Sequence, residues 1–245
     1  MSQAILEAFN QYFEMIPALT DDLKKEVYKL RFQVYCKETD FENSDRHPDK
    51  MEYDEFDDQS IHYLIRHRKS NLYAATTRLI VPVHSDPKKP FPIELHSIID
   101  NKEPLKDIPR RELAEVSRFC VSKEFKRRKY DKVDTLTGIH EGSIQLISED
   151  EKRTFPHITL ALIASQIRIS EQQDIHYWYA VMEPALLRFL SVLGIHFTDI
   201  GPIIDYHGKR KPGIIKVSDL LEGVLQKNPP LWNMLTNNGQ FGVDL

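Results

Sequence analysis

At 245 residues, with 41% apolar and 29% charged side chains, the chain has the composition of a globular protein with a sizeable core, not of a disordered or fibrous one. A net charge of −4 argues against general nucleic-acid binding, and two cysteines, Cys36 and Cys120, are too few for a disulfide framework and fit a reducing compartment. No run of about 18 apolar residues offers a membrane span, and neither a P-loop nor a GxGxxG pattern occurs.

Ile5, Leu6, Phe9, Tyr12, Phe13 and Ile16 lie on one helical stripe, which predicts an N-terminal helix within residues 1–19, ended by Pro17. Glu7 and Glu14 come early and no basic segment precedes them, so no secretory leader is read and a cytoplasmic location is expected. Thr20, followed by Asp21 and Asp22, opens a second helix on which Leu23, Val27, Leu30 and Val34 recur, with Arg31 beside the stripe. Residues 37–60 form a long acidic loop. Residues 61–67 and 72–81 read as two strands of an antiparallel hairpin, turned at Lys69-Ser70-Asn71. A short helix is expected within 93–99 and a strand over 113–121. Residues 126–154 are basic, then polar, and 130–154 are expected to be a mobile insertion. Further on come a helix apolar on most sides (156–169) and a strand (175–181). A helix with Pro184 at its first position and Gly194 at its stop follows. Strands at 195–200 and 214–217, a helix at 218–226 and a proline-containing tail complete the chain. Hairpins mixed with βα crossovers predict one α/β or α+β domain over residues 1–245, its sheet covered by helices on both faces.

The chemistry concentrates in the strand Glu115-Val116-Ser117-Arg118-Phe119-Cys120-Val121. Charged side chains are rarely buried unless paired. In a regular strand Glu115, Ser117 and Phe119 share one face and Arg118 takes the other. Both charges reach one cleft only if the strand bulges between them, and a bulge also frees a backbone N–H for an oxyanion. The alternative is that Glu115 and Arg118 serve two separate structural ion pairs. The acidic run Glu52, Asp54, Glu55, Asp57 and Asp58 reads as a solvated loop, or as the partner of Arg31, Arg78 and Arg118, or as a seat for a substrate ammonium. Arg78 lies inside an apolar strand, which favours a buried carboxylate partner. A metal site is not expected, because the histidines are scattered and no EF-hand, HExxH or Cys/His spacing occurs. Trp178, between Tyr177 and Tyr179, is a candidate for core and pocket wall.

These segments, taken in order, carry a resemblance. Leu30-Arg31-x-x-Val34-Tyr35, Met51-Glu52-Tyr53-Asp54-Glu55-Phe56-Asp57, His62-Tyr63-Leu64, Arg78-Leu79 and Glu115-Val116-Ser117-Arg118-Phe119-x-Val121 together resemble the acyl-homoserine-lactone (autoinducer) synthase superfamily over residues 20–217. Phe91-Pro92-Ile93-Glu94 and the phrase from Ser117 to Arg128 are similar to the acyltransferases associated with PEP-CTERM/exosortase systems, and long-chain N-acyl-amino-acid synthases are related. The resemblance implies a GNAT-like three-layer α/β/α fold with a splayed mixed sheet that holds an acyl thioester in the split. It also implies transfer of a fatty acyl group from acyl-carrier protein or coenzyme A to a small amine, with no tightly bound cofactor. By motif, Glu115, Arg118 and Glu52 are the catalytic candidates, and Arg31, Phe41, Asp54, Asp57, Arg78, Ser117, Phe119 and Trp178 are candidates for substrate binding. Phe41 stands near a family tryptophan, and Ala74 or Ala75 replaces a family glycine. With the longer 130–154 segment, these departures weigh against homoserine-lactone synthesis from S-adenosylmethionine, which stays as one alternative. A non-catalytic acyl-carrier or lipid-binding protein of the same fold is another. Lys123, Lys126, Arg127, Arg128, Lys129 and Lys132 follow the strand with no glycine among them, unlike a coenzyme A pyrophosphate loop, and would suit an acidic carrier protein.

Overall fold

The structure, a computed structural model, describes residue 7 and residues 9–125, 157–205 and 208–242. The N-terminal expectation needs correction. Residues 9–12 are helical, but Phe13–Pro17 is a strand, β1, not the continuation of a helix. It pairs antiparallel with β2 (Ser60–His67), from Phe13 opposite His67 to Pro17 opposite Tyr63. The local helical stripe yields to cross-strand contacts: Glu14 sits opposite Arg66 and is ion-paired with it, and Glu14 meets Arg68 at 3.2 Å.

Helix α1 (Asp21–Arg31) starts where Thr20 accepts a hydrogen bond from the Leu23 N–H at 3.3 Å, and it runs on into a π-helical turn at Phe32–Glu38. β2 and β3 (Tyr73–Ile80) form the expected hairpin, and β3 pairs antiparallel with β4 (Leu113–Val121). Between them lies the short helix α2 (Pro92–His96). Then follow α3 (His157–Gln172), β5 (Tyr177–Met182) and α4 (Pro184–Val192). The expected strand at 195–200 shrinks to β6 (Thr198–Asp199), and a second short strand, β7 (Ile204–Asp205), follows. β8 (Lys209–Lys216) begins earlier than its apolar run, and α5 (Val217–Lys227) and α6 (Pro229–Thr236) close the described chain. Helix α6 occupies what reads as a tail; Pro229 and Pro230 suit a helix's first turn, and Asn228 caps it by accepting from the Leu231 N–H.

The sheet order is β1-β2-β3-β4-β5-β8-β6, with β7 beside β8. Helices cover both faces, in the three-layer α/β/α arrangement. α3, α4, α5 and α6 share the larger apolar core with one face, and α1 lies on the other over Leu64 and Cys120. The β4–β5 contact is parallel, whereas the other strand pairs are antiparallel, and it runs only from Leu113/Tyr177 to Val116/Ala180. Beyond that point the two strands part. Among the described residues no helix is long and apolar enough to cross a membrane, and no cluster of His, Cys, Asp and Glu is arranged to hold a metal ion.

Candidate active site

β4 carries the bulge that bringing both charges to one cleft requires. Thr76 is opposite Cys120 and Arg78 is opposite Ser117, so Thr77 alone faces both Arg118 and Phe119. Arg118 takes a left-handed backbone with φ 48°, unusual for a side chain other than glycine, asparagine or aspartate. The extra residue turns Arg118 to the face that carries Glu115, and both side chains line one cavity. That cavity, of about 250 Å³, opens where β4 leaves β5. Its floor is apolar, with Ile163, Ala180, Leu186, Leu190, Phe197 and Leu220 in its walls.

Three guanidinium groups and three carboxylates interlock at one side of this cavity. Arg31 donates from Nε to Glu52 at 2.5 Å and from Nη1 to Asp57 at 2.6 Å. Arg78 forks onto Asp54 at 2.6 and 2.8 Å, reaches Asp57 at 2.8 Å, and donates from Nε to Ser117 Oγ at 2.7 Å. Arg118 donates to Glu52 at 2.9 Å and to Asp54 at 3.2 Å, and lies 3.7 Å from Glu42. The cluster has an inside and an outside. Arg31, Glu52 and Asp57 are buried and do not border the cavity, whereas Asp54 and Arg118 border it with side chains 26% and 21% exposed.

Burial alone would raise the Glu52 carboxyl, but Arg31 and Arg118 outweigh it and bring it down to about 2. Asp57, likewise opposed by burial, is held well below the usual range by Arg31 and Arg78. His62 sits 3.6 Å from Asp57 with neither ring nitrogen hydrogen-bonded among the described residues; burial, then Arg31, lowers it to about 4, so it is neutral. Glu115 behaves in the opposite way. It is 4% exposed and accepts the Ile93 N–H at 2.8 Å, and burial pushes it up to about 8 against the pull of that N–H and of Arg78. One carboxylate on the cavity is thus poised to exchange a proton near neutrality, while its neighbours are locked in ion pairs.

The other sequence candidates fall into place unevenly. Ser117, Phe119, Phe41, Arg78 and Trp178 all border the cavity, and Trp178 also donates its indole N–H to Ser170 Oγ at 2.7 Å. Lys123 is exposed just after β4, its backbone N–H bound to Glu38 at 2.8 Å. Lys126, Arg127, Arg128, Lys129, Lys132 and the 130–154 insertion lie outside the described residues. Sequence reasoning did not single out Ile93, Glu183 or Arg210. The last two meet at 3.1 Å on the cavity rim, with the Arg210 guanidinium 5.4 Å from the Phe41 ring centroid. In the sequence Arg210 stands in a run of cations, Lys209-Arg210-Lys211, a pattern that by itself points to solvated surface and not to a cavity.

The sequence pattern of a GNAT acetyltransferase domain matches residues 30–133, from the end of α1 past the bulged strand. That match covers less than half of the chain, and acyl transfer is the chemistry it supports. Among solved structures the chain is similar to the acyl-homoserine-lactone synthase LasI, with 19% identity over 87% of this chain and 97% of that one and a TM-score of 0.55. It is also similar to BjaI, a coenzyme A-dependent acyl-homoserine lactone synthase solved with S-adenosylmethionine and isopentyl-CoA (16% identity, 92% and 88% covered, TM-score 0.56). FeeM, an N-acyl amino acid synthase from uncultured soil microbes, matches at 14% identity over 88% and 98% of the two chains, with a TM-score of 0.52. At such identities the likeness is one of fold. No curated protein matches the chain.

Proposed function

We propose that the protein moves a fatty acyl group from a thioester, on an acyl-carrier protein or on coenzyme A, to the amine of a small amino-acid-like acceptor. One observation carries this reading: β4 and β5 part immediately after Val116 and Ala180, and Glu115, the bulge and an apolar cavity meet at that opening. An acyl chain would lie along Phe119, Trp178 and the walls given by α3 and α4. Beyond Val116 the β5-facing edge of β4 has no strand partner among the described residues, so its backbone N–H groups can receive the oxyanion as the amine attacks the carbonyl.

An amine attacks only as the free base, and an ordinary amine is mostly protonated at neutral pH. Glu115, raised to about 8, is matched to accept that proton, directly or through a water, before the thiolate leaves. Arg118 and Asp54, at the exposed edge of the charge cluster, would orient the acceptor's carboxylate and ammonium. Glu52 acts in this account by holding Arg118, and Arg31 and Asp57 by holding Glu52 and Arg78; Ser117 and Phe41 complete the wall. The cations after β4, of which Lys123 is the described member, would dock an acidic carrier protein in the cytoplasm. No tightly bound cofactor is required. The exosortase-associated subgroup is our assignment from the phrases around Phe91 and Ser117.

Lipid extracts of cells overproducing the protein should contain new N-acylated amines by mass spectrometry, and extracts from a Glu115→Gln strain should lack them. Extracts with no new lipid in either strain would count against acyl transfer. Acyl-homoserine lactones accompanied by S-adenosylmethionine consumption would move the reading to autoinducer synthesis.

A further inference from the structure

The Ile93 N–H that meets Glu115 belongs to α2, a helix of only five residues, too short to hold itself in place. Its position is set from outside. Arg110 forks onto Glu94 at 2.5 and 2.9 Å, donates to the Lys89 carbonyl at 2.7 Å, and lays its guanidinium 3.9 Å from the centroid of the Phe91 ring. Glu94 in turn accepts the Phe91 N–H at 2.8 Å, at the helix entry. Phe91 meets Tyr179 of β5 edge-on, and Ile93 is buried. The chain of contacts thus runs from the segment before β4, through Glu94 and Phe91, to the Ile93 N–H on the Glu115 carboxyl.

We propose that Arg110 and Glu94 are positioning residues for Glu115: they clamp α2 so that the Ile93 N–H stays on the Glu115 carboxyl, and their paired charges set the field it feels. This rests on the reading of Glu115 as the base but can fail independently of it. The charged and titratable groups facing Glu115 are Arg78 of β3, Arg118 of β4, Tyr179 of β5 and, on α2, Glu94 with its partner Arg110; His96 of α2 borders the same cavity. Removing the two members of the clamp has opposite electrostatic consequences. Arg110→Met strips Glu94 of its counter-charge and leaves a bare carboxylate near Glu115, which disfavours its ionisation. Glu94→Gln removes that carboxylate, keeps an acceptor for the Phe91 N–H, and favours ionisation.

The test is a carboxyl-carbon NMR titration of protein labelled at glutamate, with the Glu115 signal assigned by its loss in Glu115→Gln. The Glu115 midpoint is expected to rise in Arg110→Met by about half a unit or more, because loosening the Ile93 N–H and baring Glu94 act together, and to lie lower in Glu94→Gln than in Arg110→Met, because loss of the like charge offsets loss of the clamp. An Arg110→Met midpoint at or below the wild-type value, or no higher than that of Glu94→Gln, would overturn the proposal. If Arg110→Met does not fold, Arg110→Gln is read by the same criterion. Transfer assays on Glu115→Gln test the base separately, so a Glu115 dispensable for turnover with a midpoint that follows the clamp would refute the base and leave the clamp standing.

Discussion

Glu115 is asked to be both buried and ionisable, and the two demands oppose each other. Its folded carboxyl titrates near 8 against 4.5 unperturbed, so the folded state holds a proton that the unfolded chain gives up. That contribution to stability is full below pH 4.5 and is lost as the pH rises through 8. Glu115→Gln is therefore expected to be more stable than wild type above pH 8, by about 2–4 kcal/mol in denaturant melts, with little difference near pH 4. The same substitution should cut transfer by about 100-fold or more while circular dichroism stays unchanged, and the wild-type rate should rise to a plateau with an apparent midpoint near 8. Turnover that survives in the variant would remove the base role. Arg31 is a contrasting case, since it does not border the cavity and holds two buried carboxylates. Arg31→Met leaves Glu52 and Asp57 short of a counter-charge and should cost about 3–5 kcal/mol of stability, a loss visible in the same melts. A drop below about 1 kcal/mol would show that Arg78 and Arg118 suffice.

Elements with period and cap in agreement were legible. Thr20 with Asp21 and Asp22 marked α1, and Glu183-Pro184 and Gly194 bracketed α4 within a residue or two. The bulge in β4 could be anticipated because Glu115 and Arg118 sit on opposite faces of any regular strand. β1 could not, because its residues also fit a helical stripe and only the partner strand, with Arg66 opposite Glu14, decides between the two periods. The acidic run itself suggests a grouping with Arg31, Arg78 and Arg118, but the division into a buried and a cavity-facing half depends on packing that no local pattern encodes. The same is true of α4 against α5. Gly194 has φ 93°, and a Cβ on it would lie 2.3 Å from the Gly223 carbonyl oxygen; a Cβ on Gly223 would lie 2.2 Å from that of Gly194. Gly223 carries little helix propensity in mid-helix, yet it lets the two backbones meet. Gly223→Ala should lower stability by about 2 kcal/mol or more by thermal melting, despite alanine's better propensity; an unchanged midpoint would mean the helices separate freely.

Across the whole molecule the charge cluster sets the acid limit. His62, lowered to about 4 from 6.5, contributes stability that is full above pH 6.5 and falls as pH drops towards 4. Glu52, lowered to about 2 from 4.5, adds a second loss below pH 4.5, with Asp57 acting in the same direction. Chemical-denaturation midpoints should therefore fall steeply on acidification from pH 4.5 towards 2, and His62→Gln should remove the contribution made between pH 6.5 and 4. A midpoint flat across the acid range would contradict the buried pairing. The same cluster brings α1, the acidic loop, β3 and the bulged strand to one wall of the opening between β4 and β5, where acyl transfer is placed. The most direct measurement is release of free thiol from palmitoyl-carrier protein and palmitoyl-CoA, with and without a mixture of amino acids. Release is expected to depend on an amine and to disappear in Glu115→Gln. Release that ignores the amine, or none from either donor with any acceptor, would contradict acyl transfer to an amine.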